Sequence, residues 1–210
     1  VVLGSDQLWN PLWFDDMTLL GFCRGKRRIA YATSGIFDEG NRSKRVINRI
    51  VKGIADFEAV SVREASSASI LKKHNSKHIE VVLDPTLLLP VREWNEICVE
   101  RFIGEPYLFC YFLGEIQPHK HLIKEAAHRK GIHRIIYIRK PWMSDQFNDE
   151  DLFENHDEIG PKEFLSLIRY SDGVLTDSFH AVCFSIIYEK EFLQLKRAYA
   201  PDNKGSIDRI

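Results

Sequence analysis

Short apolar runs that each end in a small or polar turn recur along the chain, and this recurrence is the strongest constraint on the fold. The runs are rich in β-branched and aromatic residues, and both of their faces are apolar. Strands with two apolar faces belong in a buried parallel sheet. We therefore predict strands at residues 1–3, 29–32, 59–62, 80–83, 108–112, 134–138 and 173–175.

Helical patterns lie between several of these predicted strands. Apolar residues recur in them at three- and four-residue spacing, and two of the patterns carry a proline in the first turn, where proline is well tolerated. Strands that alternate with helices indicate an α/β fold of the doubly wound type. The predicted helices cover residues 42–57, 66–74, 118–130, 160–170 and 179–189.

The segment 85–105 predicts a boundary between two domains. It contains Pro90, an amphipathic stretch around Trp94 and a Gly-Glu-Pro turn. We predict two Rossmann-like domains, over 1–92 and 104–210, whose parallel sheets face a cleft. Ligands of such folds bind at the carboxyl ends of the strands. Because the chain opens without Met in the middle of an apolar run, we expect a fragment that is truncated at both ends.

Charge and cysteine content exclude several classes of function. The formal net charge is −1, so no global field attracts nucleic acid or an acidic membrane. The four cysteines are far apart, which argues against disulfides and zinc and favours a reduced, cytoplasmic compartment. No apolar run approaches the roughly 20 residues of a transmembrane helix. His121 and His128 share a helix face but have no cysteine partner at ligand spacing, and no metal site is expected.

The most informative segment follows the strand predicted at 173–175. Asp177 and Ser178 are good helix N-caps, and Phe179 and His180 then fall in the first turn. Unpaired backbone N–H groups and the helix dipole make such a turn an anion site, and an imidazole there can transfer protons near neutral pH. The alternative is that Asp177 and Ser178 only cap the helix while His180 packs on a neighbour.

Polar and small residues also follow three strands in the first half of the chain. Arg63 lies just beyond one of them, and its planar guanidinium suits a carboxylate or a phosphate, although an arginine after a strand is more often part of a surface ion pair. Two further turns allow a ligand to approach the backbone closely, or are plain turns. They consist of Gly4, Ser5 and Asp6 after the first strand, and of Ser34 and Gly35 after the second.

Taken together, these segments resemble the polysaccharide pyruvyl transferase family, and they keep the family's order across nearly the whole chain. A single segment would be weak support, but five in order are specific. The matching segments are Gly4-Ser5-Asp6-Gln7-Leu8-Trp9-Asn10, Ala30-Tyr31-Ala32-Thr33-Ser34-Gly35, Ser61-Val62-Arg63-Glu64, Asp84-Pro85-Thr86-Leu87-Leu88-Leu89, and Thr176-Asp177-Ser178-Phe179-His180 running into Phe184-Ser185.

The resemblance implies a fold similar to GT-B glycosyltransferases and phosphoenolpyruvate as the donor, with no cofactor. It implies a sugar, or a lipid- or nucleotide-linked saccharide, as the acceptor, and a cytoplasmic enzyme that works close to the membrane surface. Arg63 and His180 match positions that the family uses for donor binding and catalysis. A basic residue is also expected after His180, for which the sequence offers Lys190, Lys196 and Arg197.

Two other functions remain compatible with the sequence. A GT-B glycosyltransferase with a nucleotide-sugar donor would share the architecture and the anion-binding helix. A non-catalytic α/β domain would share the architecture alone. The sequence leaves open which sugar hydroxyls are bridged, the stereochemistry of the ketal and the oligomeric state.

Overall fold

The computed structural model describes residues 1–23, 25–38, 40–74, 76–138 and 152–198. The chain divides into two compact units, Val1–Leu88 and Leu89–Ile210. Within the described residues there are two parallel sheets and six α-helices, and neither sheet closes into a barrel. The predicted α/β class is therefore confirmed, whereas the domain limits of 1–92 and 104–210 stay a prediction.

The first unit is a four-stranded parallel sheet whose strands lie side by side in chain order. Its core is formed by the apolar faces of the helices against the strands, and Ile50 and Leu71 are completely buried there. The elements are β1 (Val2–Leu3), β2 (Ile29–Thr33), α1 (Asn41–Gly53), β3 (Ala59–Val62), α2 (Ala65–His74) and β4 (Glu80–Val81).

Strand β2 contains an irregularity at its carboxyl end. Ala32 has a φ of 52°, in the left-handed region that L-residues rarely adopt, and the register with β3 shifts between Ala30 and Thr33. The Ala32 N–H donates to the Ser61 hydroxyl at 3.1 Å instead of to a strand carbonyl. The irregularity changes the direction of the chain just before Ser34 and Gly35.

The second unit is a five-stranded parallel sheet in the order β7-β6-β5-β8-β9. Separate apolar clusters cover its two faces, because alternate residues of β5 point to opposite sides. The elements are α3 (Val91–Ile97), β5 (Leu108–Tyr111), α4 (Lys120–Lys130), β6 (Ile135–Tyr137), β7 (Phe153–Asn155), α5 (Pro161–Arg169), β8 (Gly173–Thr176), α6 (Phe179–Ile187) and β9 (Phe192–Gln194).

The sequence pattern misses two strands and overextends one helix. Strands β7 and β9 are edge strands of three residues each, too short to give a periodic signal. The helix predicted to reach Phe57 ends at Gly53, yet Ile54 and Phe57 are still buried. Their apolar spacing continues because a turn after the helix, with Phe57 N–H donating to Ile54 C=O, packs onto the same core.

The ends of the other helices agree closely with the sequence pattern. Helix α4 ends before Gly131 as predicted, although Pro118 lies in a short 3₁₀ turn that precedes the helix. Helix α5 begins at Pro161, and the Glu163 carboxylate accepts a hydrogen bond from the Gly160 N–H. In the part of the chain that the structure describes, none of the helices has the length and hydropathy needed to span a bilayer.

Candidate functional site

The turns that follow the four strands of the first sheet lie along one edge and are joined by hydrogen bonds. The Ser34 N–H donates to the Asp6 carbonyl at 2.8 Å, and the Thr33 hydroxyl donates to the Gly4 carbonyl at 3.2 Å. This edge collects the sequence candidates of the first unit, because carboxyl ends of parallel strands share one edge. They are Gly4, Ser5, Asp6, Ser34, Gly35 and Arg63.

Arg63 is buried at the centre of this edge and is surrounded by carboxylates. Its side chain is only 4% exposed. The guanidinium Nη1 donates to Asp84 Oδ2 at 2.9 Å, and Nε donates to Glu64 Oε1 at 3.2 Å. The more exposed Asp6 carboxylate lies 3.9 Å from Nη2. Arg63 is therefore not a surface ion pair: its guanidinium is held in a fixed plane by groups from neighbouring turns.

Asp84, on the turn after β4, is held as firmly as the arginine. Its Oδ2 also accepts a hydrogen bond from the Ser5 hydroxyl at 2.6 Å, and its Oδ1 accepts one from the Thr86 N–H at 3.0 Å. Burial acts to raise the pKa of Asp84, but the hydrogen bonds from Ser5, Thr86 and Arg63 outweigh it and lower the pKa to about 2. Asp84 is thus a carboxylate throughout the neutral pH range.

Ser34 and Glu64 extend the network to the second turn. The Ser34 hydroxyl is completely buried and donates to Glu64 Oε1 at 2.5 Å. Glu64 Oε2 is buried as well and has no hydrogen-bond partner among the described residues. At Gly35, a Cβ atom would lie 2.8 Å from the Trp9 carbonyl oxygen, so only glycine fits there.

In the second unit, the predicted anion site is the start of α6. Ser178 is the N-cap, with extended backbone, and its hydroxyl accepts a long hydrogen bond of 3.5 Å from the Ala181 N–H. Phe179 and His180 occupy the first turn, and both are half-buried. Their rings meet edge to face with centroids 5.4 Å apart. His180 is thus not a core histidine, and its roles in binding and proton transfer stay predictions.

Asp177 differs from Ser178, Phe179 and His180 because both of its side-chain oxygens accept hydrogen bonds from backbone N–H groups. Its side chain is fully buried. Oδ1 accepts a hydrogen bond from the Leu113 N–H at 2.6 Å, and Oδ2 accepts one from the Gly114 N–H at 2.8 Å. Both oxygens therefore hold the turn after β5 in place, which makes Asp177 an organiser of the site, and its predicted contact with substrate is untested.

The structure distinguishes among the three basic residues that follow α6. Arg197 comes after β9 at the same sheet edge as Asp177, donating from Nε to Asp177 Oδ2 at 3.2 Å and from Nη2 to the Asp177 carbonyl at 3.0 Å. Lys190 donates to the Ser171 carbonyl at the opposite edge of the sheet, and Lys196 is exposed. Arg197 is the basic residue that lies at the start of α6.

Tyr111 and Gly114 belong to this edge although the sequence analysis did not select them. Tyr111 ends β5 and pairs in register with Thr176, the last residue of β8. Burial raises the pKa of Tyr111, the Asp177 carboxylate raises it further, and Arg197 opposes the shift. A Cβ atom at Gly114 would collide with the Ala198 carbonyl and the Arg197 side chain. The rule that selected Arg63, a polar residue just after a strand, also applies to Asp84, whereas Tyr111 lies within its strand and is not selected by that rule.

Each unit therefore presents a different chemistry at its strand ends. The first has a guanidinium that is held by carboxylates. The second has a helix start with an imidazole in its first turn, and Arg197 contacts Asp177 just before that helix. The start of α6 with Arg197 suits an anionic ligand with several oxygen atoms, whereas the Arg63 guanidinium already has carboxylate partners. Within the described ranges, no group of three His, Cys, Asp or Glu side chains is placed to bind a metal ion.

Comparison with known proteins identifies the family. The sequence model of the polysaccharide pyruvyl transferase family matches residues 1–195 of the 210. No curated protein matches the chain. Because the family match covers the first unit and the second unit as far as Leu195, the chain belongs to the polysaccharide pyruvyl transferase family, with a role in transferring a pyruvyl group to a saccharide in polysaccharide biosynthesis.

Proposed function

We propose that the chain transfers the pyruvyl group of phosphoenolpyruvate to two hydroxyls of a polysaccharide-precursor sugar and so forms a cyclic ketal. The observation that carries this proposal is the start of α6, where a half-buried His180 lies in the first turn and Arg197 contacts Asp177. Membership of the family supports the transferred group, and these residues suit a small donor with a carboxylate and a phosphate. The proposal includes the GT-B-like pair of Rossmann-like domains that the resemblance implies.

The reaction makes three demands on the protein. The two anionic groups of the donor must be held, the methylene carbon must gain a proton, and a sugar hydroxyl must lose one as it attacks the cationic C2. A second hydroxyl then attacks C2, the C–O bond to phosphate breaks, and the hydroxyl proton leaves with the phosphate. Protonation of an enol carbon needs neither a metal nor a redox cofactor, so we propose none.

Each demand has a candidate group in the chain. In the first unit, Arg63 is the residue that would bind an anionic group of the donor. In the second unit, the N–H groups of the first turn of α6, together with Arg197, would bind an anionic group. His180 would be the acid or base, because its imidazole lies in the first turn of α6, beside the groups that would bind the anion.

The test is a transfer assay with phosphoenolpyruvate labelled with ¹³C at C2, in which the ketal carbon is followed by NMR and phosphate release is measured in parallel. We expect the wild type to form the ketal, and His180→Ala and Arg63→Ala to lower kcat/KM by about 100-fold or more. His128→Ala, at the end of α4, is the matched control and should stay within twofold of wild type.

Three results would contradict the proposal. Transfer from a nucleotide sugar but not from phosphoenolpyruvate would identify a glycosyltransferase instead. Near-normal turnover of His180→Ala would remove that imidazole from the mechanism. If phosphoenolpyruvate neither reacts nor raises the Tm of the wild type, the donor is wrong, because any ligand that binds only the folded state raises the Tm.

A further inference from the structure

The Arg63 guanidinium is oriented by two carboxylates that approach it from different directions. Asp84 accepts from Nη1 at 2.9 Å and Glu64 accepts from Nε at 3.2 Å. All three side chains are more than nine-tenths buried, since they are 4%, 1% and 8% exposed for Arg63, Asp84 and Glu64. Two acceptors on two edges fix both the position and the plane of a guanidinium, which a single ion pair does not.

The carboxylates are themselves fixed by neighbouring turns. The Ser5 hydroxyl donates to Asp84 at 2.6 Å from the turn after β1, and the Ser34 hydroxyl donates to Glu64 at 2.5 Å from the turn after β2. Arg63 and Glu64 follow β3, and Asp84 follows β4. The network therefore connects the turns after all four strands of the sheet, and the arginine lies at its centre.

We propose that Asp84 is a positioning residue for the reaction, which acts by holding the Arg63 guanidinium in the plane that binds the donor. Glu64 holds the second edge in the same way. This inference rests on the proposed function, because it takes Arg63 as a group that contacts the donor. Asp84 itself acts through Arg63 and does not contact the donor.

The charge of Asp84 suits this role. Because the pKa of Asp84 is lowered to about 2, its carboxylate stays ionised throughout the neutral range, and the orientation of Arg63 does not change with pH there. The pH profile of the reaction is then set by other groups. Asp84→Asn is expected to lower kcat/KM at every pH from about 6 to 9 and to leave the shape of the profile unchanged.

The kinetic test is a double-mutant cycle. Asp84→Asn should raise the KM for phosphoenolpyruvate and lower kcat/KM about 10- to 100-fold, as expected when a binding group is misplaced. Arg63→Met should cost at least as much. If Asp84 acts only through Arg63, the double variant should be no worse than Arg63→Met, within twofold. Asp84→Asn keeps the buried Arg63–Glu64 pair and is expected to fold, whereas Arg63→Met and the double variant leave the Glu64 carboxylate without its guanidinium partner, so their folding is checked by circular dichroism.

An independent readout separates this inference from the proposed function. The ¹⁵N–¹H signal of Arg63 Nε, assigned by its loss in Arg63→Met, should be sharp in the wild type and broadened or shifted in Asp84→Asn. Asp56→Asn is the control, since Asp56 pairs with Arg28 on the same unit and is 84% exposed. This measurement needs no donor, so it decides the positioning role even if phosphoenolpyruvate proves to be the wrong substrate.

Three outcomes would overturn the inference. One is an unchanged Arg63 signal in folded Asp84→Asn. Another is wild-type kcat/KM in that variant. The third is an additional loss of tenfold or more when Asp84→Asn is added to Arg63→Met, because Asp84 would then act independently of the arginine.

Discussion

Asp84 shows how a single buried charge couples the stability of the first unit to pH. Its carboxylate accepts hydrogen bonds from three residues, and its pKa falls to about 2 from an ordinary value of 3.8. A group whose pKa is lower in the folded state stabilises that state above its unfolded pKa. The stabilisation is lost as the pH falls through the folded pKa.

The resulting prediction concerns the free energy of unfolding between about pH 5 and pH 2. Asp84 should contribute about 2 kcal/mol at pH 5 and progressively less below pH 4, from the size of its pKa shift. The free energies of unfolding of wild type and Asp84→Asn, measured in urea, should therefore differ most at pH 5. This difference should shrink by about 2 kcal/mol as the pH falls toward 2. The exposed Asp56→Asn control should stay within about 0.5 kcal/mol of wild type throughout. If the difference in unfolding free energy between wild type and Asp84→Asn does not shrink at low pH, the pKa of Asp84 is not lowered in the folded state.

The sequence predicts which residues reach the strand ends better than it predicts what their side chains do there. Arg63, Ser5 and Ser34 lie at the sheet edge as expected, because parallel strands all end on one side. The sequence does not reveal that Arg63 is surrounded by carboxylates or that the Asp177 oxygens are already bonded. These facts depend on contacts between turns that are 20 to 80 residues apart in the chain, and local pattern carries no information about them.

Among the elements, β9 matters most to the second unit because it brings Arg197 to the start of α6. The segment after β9 also crosses over the turn after β5: the Glu115 N–H donates to the Ala198 carbonyl at 2.8 Å. Gly114 lies directly beneath this crossing, where any side chain would collide with Ala198 and Arg197. The turn after β5 therefore requires a residue without Cβ at position 114.

Gly114→Ala is accordingly predicted to displace the Arg197 segment. We expect a loss of about 1–3 kcal/mol in stability, from overpacking, and a clear loss of transfer activity through Arg197. Gly104→Ala is the matched control in the same unit, because a Cβ there meets nothing within 4 Å. Thermal unfolding measures the first effect, and kcat/KM of the proposed transfer reaction measures the second. If Gly114→Ala and Gly104→Ala have equal stability and equal transfer activity, the packing of the Arg197 segment over Gly114 is not needed for either property.

The sequence predicts long, buried strands and helices better than short, exposed ones. Strands such as β3 and β5, with four residues and buried on both faces, give clear apolar runs. The edge strand β9 exposes Phe192 and Leu193 and is only three residues long, so nothing in its composition separates it from a loop. Its pairing with β8 comes from tertiary structure, because β8 offers an unpaired edge that an extended segment satisfies.

At the scale of the whole molecule, the two units have separate hydrophobic cores. The cluster of the first unit contains only residues up to Ile79. The two clusters of the second unit begin at Trp94 and continue to Leu195. Since packing energy is contributed within each cluster, a defect in one core is expected to loosen its own sheet first.

Hydrogen exchange can test this separation with two matched core substitutions. Leu71→Ala and Leu167→Ala each remove a completely buried leucine side chain, at an expected cost of 2–5 kcal/mol. Leu71→Ala should reduce amide protection in β2 and β3 and leave β5 and β8 unchanged, and Leu167→Ala should do the reverse. If either variant lowers protection equally in both sheets, the two units unfold as one.

The network around Arg63 has a consequence for how such an enzyme can diversify. One hydrogen-bond network connects the turns after all four strands of the first sheet. An insertion or deletion in one of these turns would therefore break hydrogen bonds to the other turns. New saccharide specificities are therefore expected to arise by changes outside this set of turns. A loop-exchange library built on this scaffold should yield active variants mainly where those four turns keep their lengths.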